Sequence, residues 1–176
     1  MFSDPIKNVE QFELEKGMKV ADLGSGSGFY TIAVAQAVGG EGRVYSVDVQ
    51  KDLLDKIRNQ ATLRHLRNIE IVWGNMEKIG GTRLRADLLD RVIISNTLFQ
   101  VADKDSTIEE AKRILRKNGR LLVIDWEDSF GGLGPQPKDV LNRIEAEKLL
   151  TKHGLVFERE ITAGDHHYGL IFRKVN

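Results

Sequence analysis

Val20-Ala21-Asp22-Leu23-Gly24-Ser25-Gly26-Ser27-Gly28-Phe29-Tyr30 passes from one apolar segment, through three glycines at alternate positions, into another apolar segment. This order reads as a buried strand, a tight bend and the opening turn of a helix. Glycine leaves the backbone bare, so a ligand can lie against it while the helix's first N–H groups face it. Taken alone, the pattern equally fits a tight strand-to-helix turn with no ligand.

Outward from the bend, short runs rich in valine and isoleucine read as buried strands: Met18 to Leu23, Arg43 to Asp48, Ile69 to Trp73, Leu88 to Ser95 and Arg120 to Trp126. Between them lie segments of helical spacing. Phe29, Ile32, Ala33 and Ala37 can share one face, as can Leu53, Leu54, Ile57 and Ala61, and Ile108, Ala111, Ile114 and Leu115. Lys16-Gly17 precedes the first strand, Gly39-Gly40 closes the first helix, and Asn118-Gly119 is expected to end the helix before the fifth strand. Strands buried on both faces and alternating with helices specify a parallel sheet covered on both sides. After a helix at Asp139 to Lys152, the strands Leu155 to Ile161 and Tyr168 to Arg173 are joined by a link too short for a crossover helix. The expected fold is therefore α/β: a doubly wound, Rossmann-like seven-stranded sheet, mostly parallel, with a C-terminal antiparallel hairpin, in one domain over residues 1–176.

Composition limits the chemistry. The 176 residues can bury a core unaided, and 26 basic side chains balance 26 acidic ones, so no long-range pull on nucleic acid or an anionic membrane is expected. The chain has no cysteine. That excludes disulfides, thiolate metal sites, thiolate attack on a pyrimidine ring and methylation of arsenic held on thiols. No apolar stretch approaches the roughly 18–20 residues that span a bilayer, and the N-terminus lacks an apolar leader, so a cytoplasmic protein is expected. The basic clusters Arg64-His65-Leu66-Arg67, Arg83-Leu84-Arg85, and Lys112-Arg113 with Arg116-Lys117 read as solvated surface.

Two features beside the bend favour a ligand. Asp48 closes the second strand 24 positions after Gly24, where a carboxylate can accept two hydrogen bonds from ribose hydroxyls. It can equally serve as a charge at the N-terminus of the next helix. Trp73-Gly74-Asn75-Met76-Glu77 ends the third strand. Asn75 can pair with an adenine edge while Met76 packs on its face, or the two can be an Asn turn and a core methionine. All three sites fall at the carboxyl ends of adjacent strands, where open α/β sheets bind ligands. A nicotinamide dinucleotide fits less well. Its fingerprint needs glycine or alanine at the sixth position, and this sequence has Phe29 counting from Gly24 or Thr31 counting from Gly26.

The stretch from Val20 to Tyr30 with Asp48, continued through Asn75-Met76, Asp90 to Asn96 and Leu115 to Trp126, resembles the class I S-adenosylmethionine-dependent methyltransferases. Among these it is most similar to the ubiquinone/menaquinone-biosynthesis type. The resemblance implies S-adenosylmethionine as cofactor. It implies that the backbone of Gly24, Ser25 and Gly26, with Asp22 beside it, holds the methionine end, and that Asp48 holds the ribose with Val49 against the adenine. Asn75 and Met76 are implied at the adenine rim and Asn96 near the methionine amine. Many relatives have aspartate where Asn75 stands.

The acceptor half is less legible. Asn96-Thr97-Leu98-Phe99-Gln100 is not the motif that grips an exocyclic amine, and Phe99 fits the core better than a pocket wall. Trp126 can wall an acceptor pocket, and Glu127 can orient an acceptor or take its proton. The glycine-rich stretch 129–137 reads either as a lid or as a plain connector. His166 and His167 are candidate bases if the sixth strand runs parallel to the first five, and are otherwise a solvated pair without the spacing of a metal site. Catalytic candidates are thus Glu127, His166 and His167, with no metal ligands. The expected partner is a small-molecule acceptor in a shallow cleft closed by the loop or by the second subunit of a homodimer. The rival readings are a non-catalytic module of the same fold and a nicotinamide-dependent oxidoreductase.

Overall fold

Strand β1 (Lys19–Leu23) is exposed at its first residue and buried over the next four. It therefore takes the centre of the sheet. In the computed structural model, residues 3–132 and 134–176 are described; Met1, Phe2 and Leu133, the last within the glycine-rich stretch 129–137, lie outside the described residues. The other strands are β2 (Arg43–Asp48), β3 (Ile69–Trp73), β4 (Leu89–Ser95), β5 (Leu115–Trp126), β6 (Leu155–Ile161) and β7 (His167–Lys174), set in the order β3-β2-β1-β4-β5-β7-β6. The first five pair in parallel. β7 runs antiparallel to both neighbours, so β6 shares the direction of the first five and its end brings the β6–β7 link to their carboxyl ends. This is the expected seven-stranded, mostly parallel sheet with its closing hairpin.

Alternation along each strand divides the core between the two faces. Ala21, Leu23, Leu121 and Val123 join Ile108, Ala111 and Ile114 of α4 (Lys104–Ile114) and Ala146 and Leu150 of α5 (Arg143–Lys152). Val20, Leu122 and Ile124 pack with Val9 of α1 (Pro5–Gln11) and with Val34 and Val38 of α2 (Phe29–Val38). α3 (Lys51–Leu63) buries Leu54, Ile57 and Ala61, close to the face expected for it. Phe29 departs from expectation: it is 67% exposed, whereas Ile32 and Ala33 are buried.

Several boundaries move for identifiable reasons. α4 stops at Ile114 because Leu115 leaves the helix to pair with Leu89, and Asn118 takes a left-handed φ of 62° in the excursion that follows. The expected stop at Asn118-Gly119 is thus the end of a strand irregularity and not of the helix. α5 begins at Arg143, not Asp139, because Asn142 and Glu145 form a reciprocal capping box. α1 was not anticipated. Its signal was Asp4-Pro5: the Asp4 carboxylate accepts the N–H groups of Ile6 and Lys7, and proline occupies the opening of the helix.

Candidate functional site

Strand order reverses between β1 and β4, and just outside the carboxyl ends there a cavity of about 710 Å³ opens. Its first wall is the glycine bend. Gly24 has φ 71°, and a Cβ on it would lie 2.7 Å from Thr97 Cγ2 and 3.2 Å from Met76 Cε. Gly28 has φ 81° at the head of α2, and a Cβ there would fall 2.5 Å from Ile57 Cγ1. Both positions require glycine for room as well as for conformation.

The second wall is the end of β2. Asp48 is 7% exposed; its Oδ2 accepts the Gly26 N–H at 2.9 Å and its Oδ1 accepts the Gln50 N–H at 2.9 Å. Gln50 is the N-cap of α3, so the carboxylate serves the helix start and the bend together. Val49 beside it is 56% exposed. On the third wall, Asn75 Oδ1 accepts the Glu77 N–H at 2.8 Å, forming an Asn turn, and Met76 belongs to the core at 9% exposure. Both residues nevertheless line the cavity.

The fourth wall follows β4. Asn96 has φ 51° and a buried Oδ1 without a partner, and Thr97 Oγ1 donates to Ser95 O at 2.8 Å. The next turn, Leu98–Gln100, is held by Asp125 of β5, whose Oδ2 accepts the Phe99 N–H at 3.1 Å. Asp125 is fully buried, and burial pushes its carboxyl up to about 6. Leu98, not Phe99, is the core residue of this turn.

Gly24, Ser25, Gly26, Asp48, Val49, Asn75, Met76 and Asn96 all line this cavity. Asp22 does not. It lies beneath the bend, with Oδ2 accepting the Thr31 hydroxyl at 2.6 Å and Oδ1 buried without a partner. Burial pushes its carboxyl up to about 6. Glu127, His166 and His167 are not brought to the wall either. Glu127 Oε2 accepts the Arg143 N–H at 2.8 Å, His166 Nδ1 bonds Asp128 Oδ1 at 2.7 Å, and His167 Nδ1 donates to Asp165 O at 2.8 Å. Trp126 faces His167, with ring centroids 4.2 Å apart, and Phe130 of the glycine-rich stretch stacks on His166 at 4.1 Å. Among the described residues of 129–137, none lines the cavity.

Thr97 and Gln100, from the stretch after β4 weighed for the acceptor side, also line the cavity, and so do Ser3, Pro5, Tyr30 and Gln50, which the sequence did not mark. Asn8 Nδ2 donates to Tyr30 OH at 2.8 Å and to Ser3 Oγ at 2.9 Å, which fixes α1 against α2 at the opening. Among the described residues, the wall carries two carboxylates, Asp48 and Glu77, and no basic side chain. Bare backbone, a carboxylate, the exposed Val49 with the largely buried Met76, and an unpartnered amide oxygen suit a ligand that joins an apolar ring to hydroxyls and a short polar chain. No group of acidic or histidine side chains among the described residues could hold a metal ion, and no described helix is long and apolar enough to cross a membrane.

Residues 14–165 match the family model described as "Methyltransferase domain". The ubiquinone/menaquinone biosynthesis C-methyltransferase UbiE of Haemophilus ducreyi is 34% identical over 117 residues, which are 64% of this chain and 43% of that protein. The arsenite methyltransferase of Halobacterium salinarum is 33% identical over 125 residues, 70% of this chain and 30% of that one. The chain thus spans less than half the length of either curated relative. The crystal structure of a SAM dependent methyltransferase from Aquifex aeolicus superposes with a TM-score of 0.89 at 28% identity, covering 99% of this chain and 91% of that one.

Proposed function

The chain belongs to the methyltransferase-domain family, and on that premise we propose that it binds S-adenosylmethionine at the glycine bend and transfers the methyl group to a small acceptor. One observation carries this reading: the Gly26 N–H meets Asp48 Oδ2 at 2.9 Å on the wall of the cavity of about 710 Å³. When bound, the cofactor supplies an electrophilic methyl on a sulfonium, so the protein's task is to align an acceptor and exclude water.

Each Asp48 oxygen keeps a lone pair beyond its backbone bond, enough to accept two ribose hydroxyls. Val49 and Met76 offer apolar surface for the adenine, and Asn75 keeps its amide hydrogens for the ring edge. The bare backbone of Gly24 to Gly26 receives the methionine end, and the unpartnered Asn96 Oδ1 accepts from its amine. Asp22 acts from beneath the bend.

The acceptor reading rests on the rest of the wall. Uncharged Ser3, Pro5, Tyr30, Gln100 and Val101, in a lining with no basic side chain among the described residues, suit a small neutral acceptor and not a phosphate backbone. Arsenic held on thiols is unsuited to a chain without cysteine. Calorimetry with S-adenosylmethionine is expected to give a one-site isotherm, and a labelled-methyl screen of quinols, phenols, amines and nucleosides is expected to give uptake. Absence of binding overturns the cofactor reading. Binding without uptake by any acceptor favours the non-catalytic module.

A further inference from the structure

Arg91 stands in β4 ahead of the apolar run Val92-Ile93-Ile94 and is only 6% exposed. Arginine is buried to that degree almost only when it is paired. Among the described residues, no ion pair holds Arg91, although Arg113, Arg116, Arg120, Arg159 and Arg173 each have one. Its hydrogen bond there runs from Nη1 to the Asp90 carbonyl at 3.0 Å, and its Nε is buried without a partner. The Phe12 ring, 5.7 Å from the guanidinium carbon, offers a cation–π contact but no negative charge.

Pairing sets further positive charge beside it. Arg91 is in register with Arg120 of β5, and Arg120 with Arg173 of β7. Residues in register leave the same face of a sheet, on strands about 4.8 Å apart. The three arginines therefore form a row on the side of Ile93, Leu122 and Ile171, at the amino ends of β4 and β5 and away from the cavity. Like charges so placed repel. Glu158 answers two of them: Oε2 accepts Arg120 Nε at 2.6 Å and Oε1 accepts Arg173 Nε at 2.8 Å. Glu13 lies 3.0 Å from Arg159 Nη2 but 3.8 Å from Arg120 Nη1, beyond hydrogen-bond reach. Four guanidiniums thus share two carboxylates. Asp90 is engaged by Arg116 at 2.7 Å and by the Lys19 N–H at 2.7 Å, and Glu15 is exposed.

We infer that Arg91 and Arg120 form a binding site for one small oxyanion of phosphate size, held across β4 and β5. A guanidinium presents its N–H groups as a planar fork that matches the edge of such an ion. Arg91 has given one of its five hydrogens to Asp90, and Arg120 keeps its Nη groups beyond its bond to Glu158. The little of Arg91 that is exposed suits a single ion and not a polymer backbone. Burial holds the Arg91 pKa below its ordinary value, and the field of Arg120 lowers it further, against the opposing fields of Asp90 and Glu15. An anion between the two guanidiniums turns that repulsion into attraction. The site lies at the opposite end of the sheet from the cavity and does not rest on the cofactor reading.

Inorganic phosphate tests this, titrated at neutral pH against chloride of equal ionic strength while NMR follows the arginine Nε–H signals. In wild-type protein the Arg91 and Arg120 signals are expected to move along one saturable curve that chloride does not reproduce, with a melting temperature that rises with phosphate. Arg91→Met is expected to weaken phosphate about tenfold or more, the effect of losing hydrogen bonds between charged groups. Arg91→Lys, which keeps the charge and loses the fork, is expected to fall between the two and serves if the methionine variant does not fold. A wild-type response that never saturates, or that chloride matches, overturns the site. So does phosphate affinity unchanged in the Arg91 variants. A shift of the Gly26 amide while Arg91 and Arg120 stay still places the ion at the glycine bend and overturns it equally.

Discussion

The Thr97 side chain occupies the space that any side chain at Gly24 would need, with its Cγ2 and Oγ1 at 2.7 Å and 2.9 Å from the position a Cβ would take. β1 and β4 are neighbours in the sheet, and the first residue after β1 meets the second residue after β4 there. Gly24→Ala is therefore expected to combine a left-handed φ of 71° with a direct clash. The cost is roughly 2–3 kcal/mol of stability, with loss of detectable S-adenosylmethionine binding. Thermal melting and calorimetry check both, and adding Thr97→Ser to the Gly24→Ala protein should recover part of the melting loss but not the part due to φ.

Asp48 serves two backbone donors and, on the proposed function, two ligand hydroxyls. Asp48→Asn keeps one carbonyl oxygen where there were two, so either Gly26 N–H or Gln50 N–H loses its acceptor. Weakened cofactor affinity of tenfold or more is expected, since hydrogen bonds to a charged group are worth about 1.5–3 kcal/mol each. The melting temperature should change less than in Gly24→Ala, because no clash is introduced. Calorimetry of the two variants side by side separates the effects; equal affinity of Asp48→Asn and wild type for S-adenosylmethionine overturns the ribose role.

The fold and the cavity walls were legible where one short stretch of sequence contains its own cause. The glycines of the bend, the valine-rich strands and the short link 162–167 each state their geometry locally. The direction of Asp22 was not legible, because its distance along the chain from Gly24 does not tell which face of β1 it leaves; strand alternation turned it toward Thr31 and away from the cavity. The contact between Thr97 and Gly24 was illegible for a different reason. Thr97 stands in the stretch weighed for the acceptor side, but its meeting with Gly24 exists only because β1 and β4 are paired. Glu127, His166 and His167 are types that can move protons and sit at the correct end of the sheet. Each carries a local bond to Arg143, Asp128 or Asp165 that no sequence spacing announced.

Asp125 sets a pH dependence of stability opposite to that usual for a carboxylate. Its folded pKa lies at about 6, above the ordinary 3.8, so the folded protein holds this proton more tightly than the unfolded chain does. Stability from this group is greatest below 3.8, falls as pH rises toward 6 and is level above. Asp22 acts in the same window and direction. Asp125→Asn should remove one share of the decline, up to about 3 kcal/mol, while retaining a single acceptor for the Phe99 or Trp126 N–H. Urea unfolding at several pH values between about 4 and 7 is expected to give a shallower slope for the variant than for wild type; parallel slopes would show that Asp125 is not the titrating group.

Glu110 supplies the opposing acid-side loss. It is fully buried on α4, yet accepts from Gly80 N–H at 2.7 Å, Thr82 N–H at 3.2 Å, the Thr82 hydroxyl, and Arg113 Nε at 2.7 Å. Burial pushes its carboxyl up, but Arg113, Thr82 and the two backbone donors together outweigh that and hold it at about 2, below the ordinary 4.5. The ionised form is thus worth most to the folded state above 4.5, and that stability is lost as pH falls from 4.5 toward 2. The contribution is bounded at roughly 3 kcal/mol. Glu110→Gln keeps one acceptor and two hydrogens that the donors around it cannot receive. It is expected to unfold at lower urea concentration at neutral pH and to show little further loss between about pH 5 and 3, where the wild type declines. Because Glu110 fastens residues 80–82 to α4, and the Gly81 carbonyl accepts the Asn75 N–H at 2.9 Å, the same substitution should loosen the Asn75-Met76 wall. A Kd for S-adenosylmethionine raised severalfold at neutral pH, alongside the flattened acid limb, is the combined outcome expected; a flattened limb with unchanged affinity would confine Glu110 to stability alone.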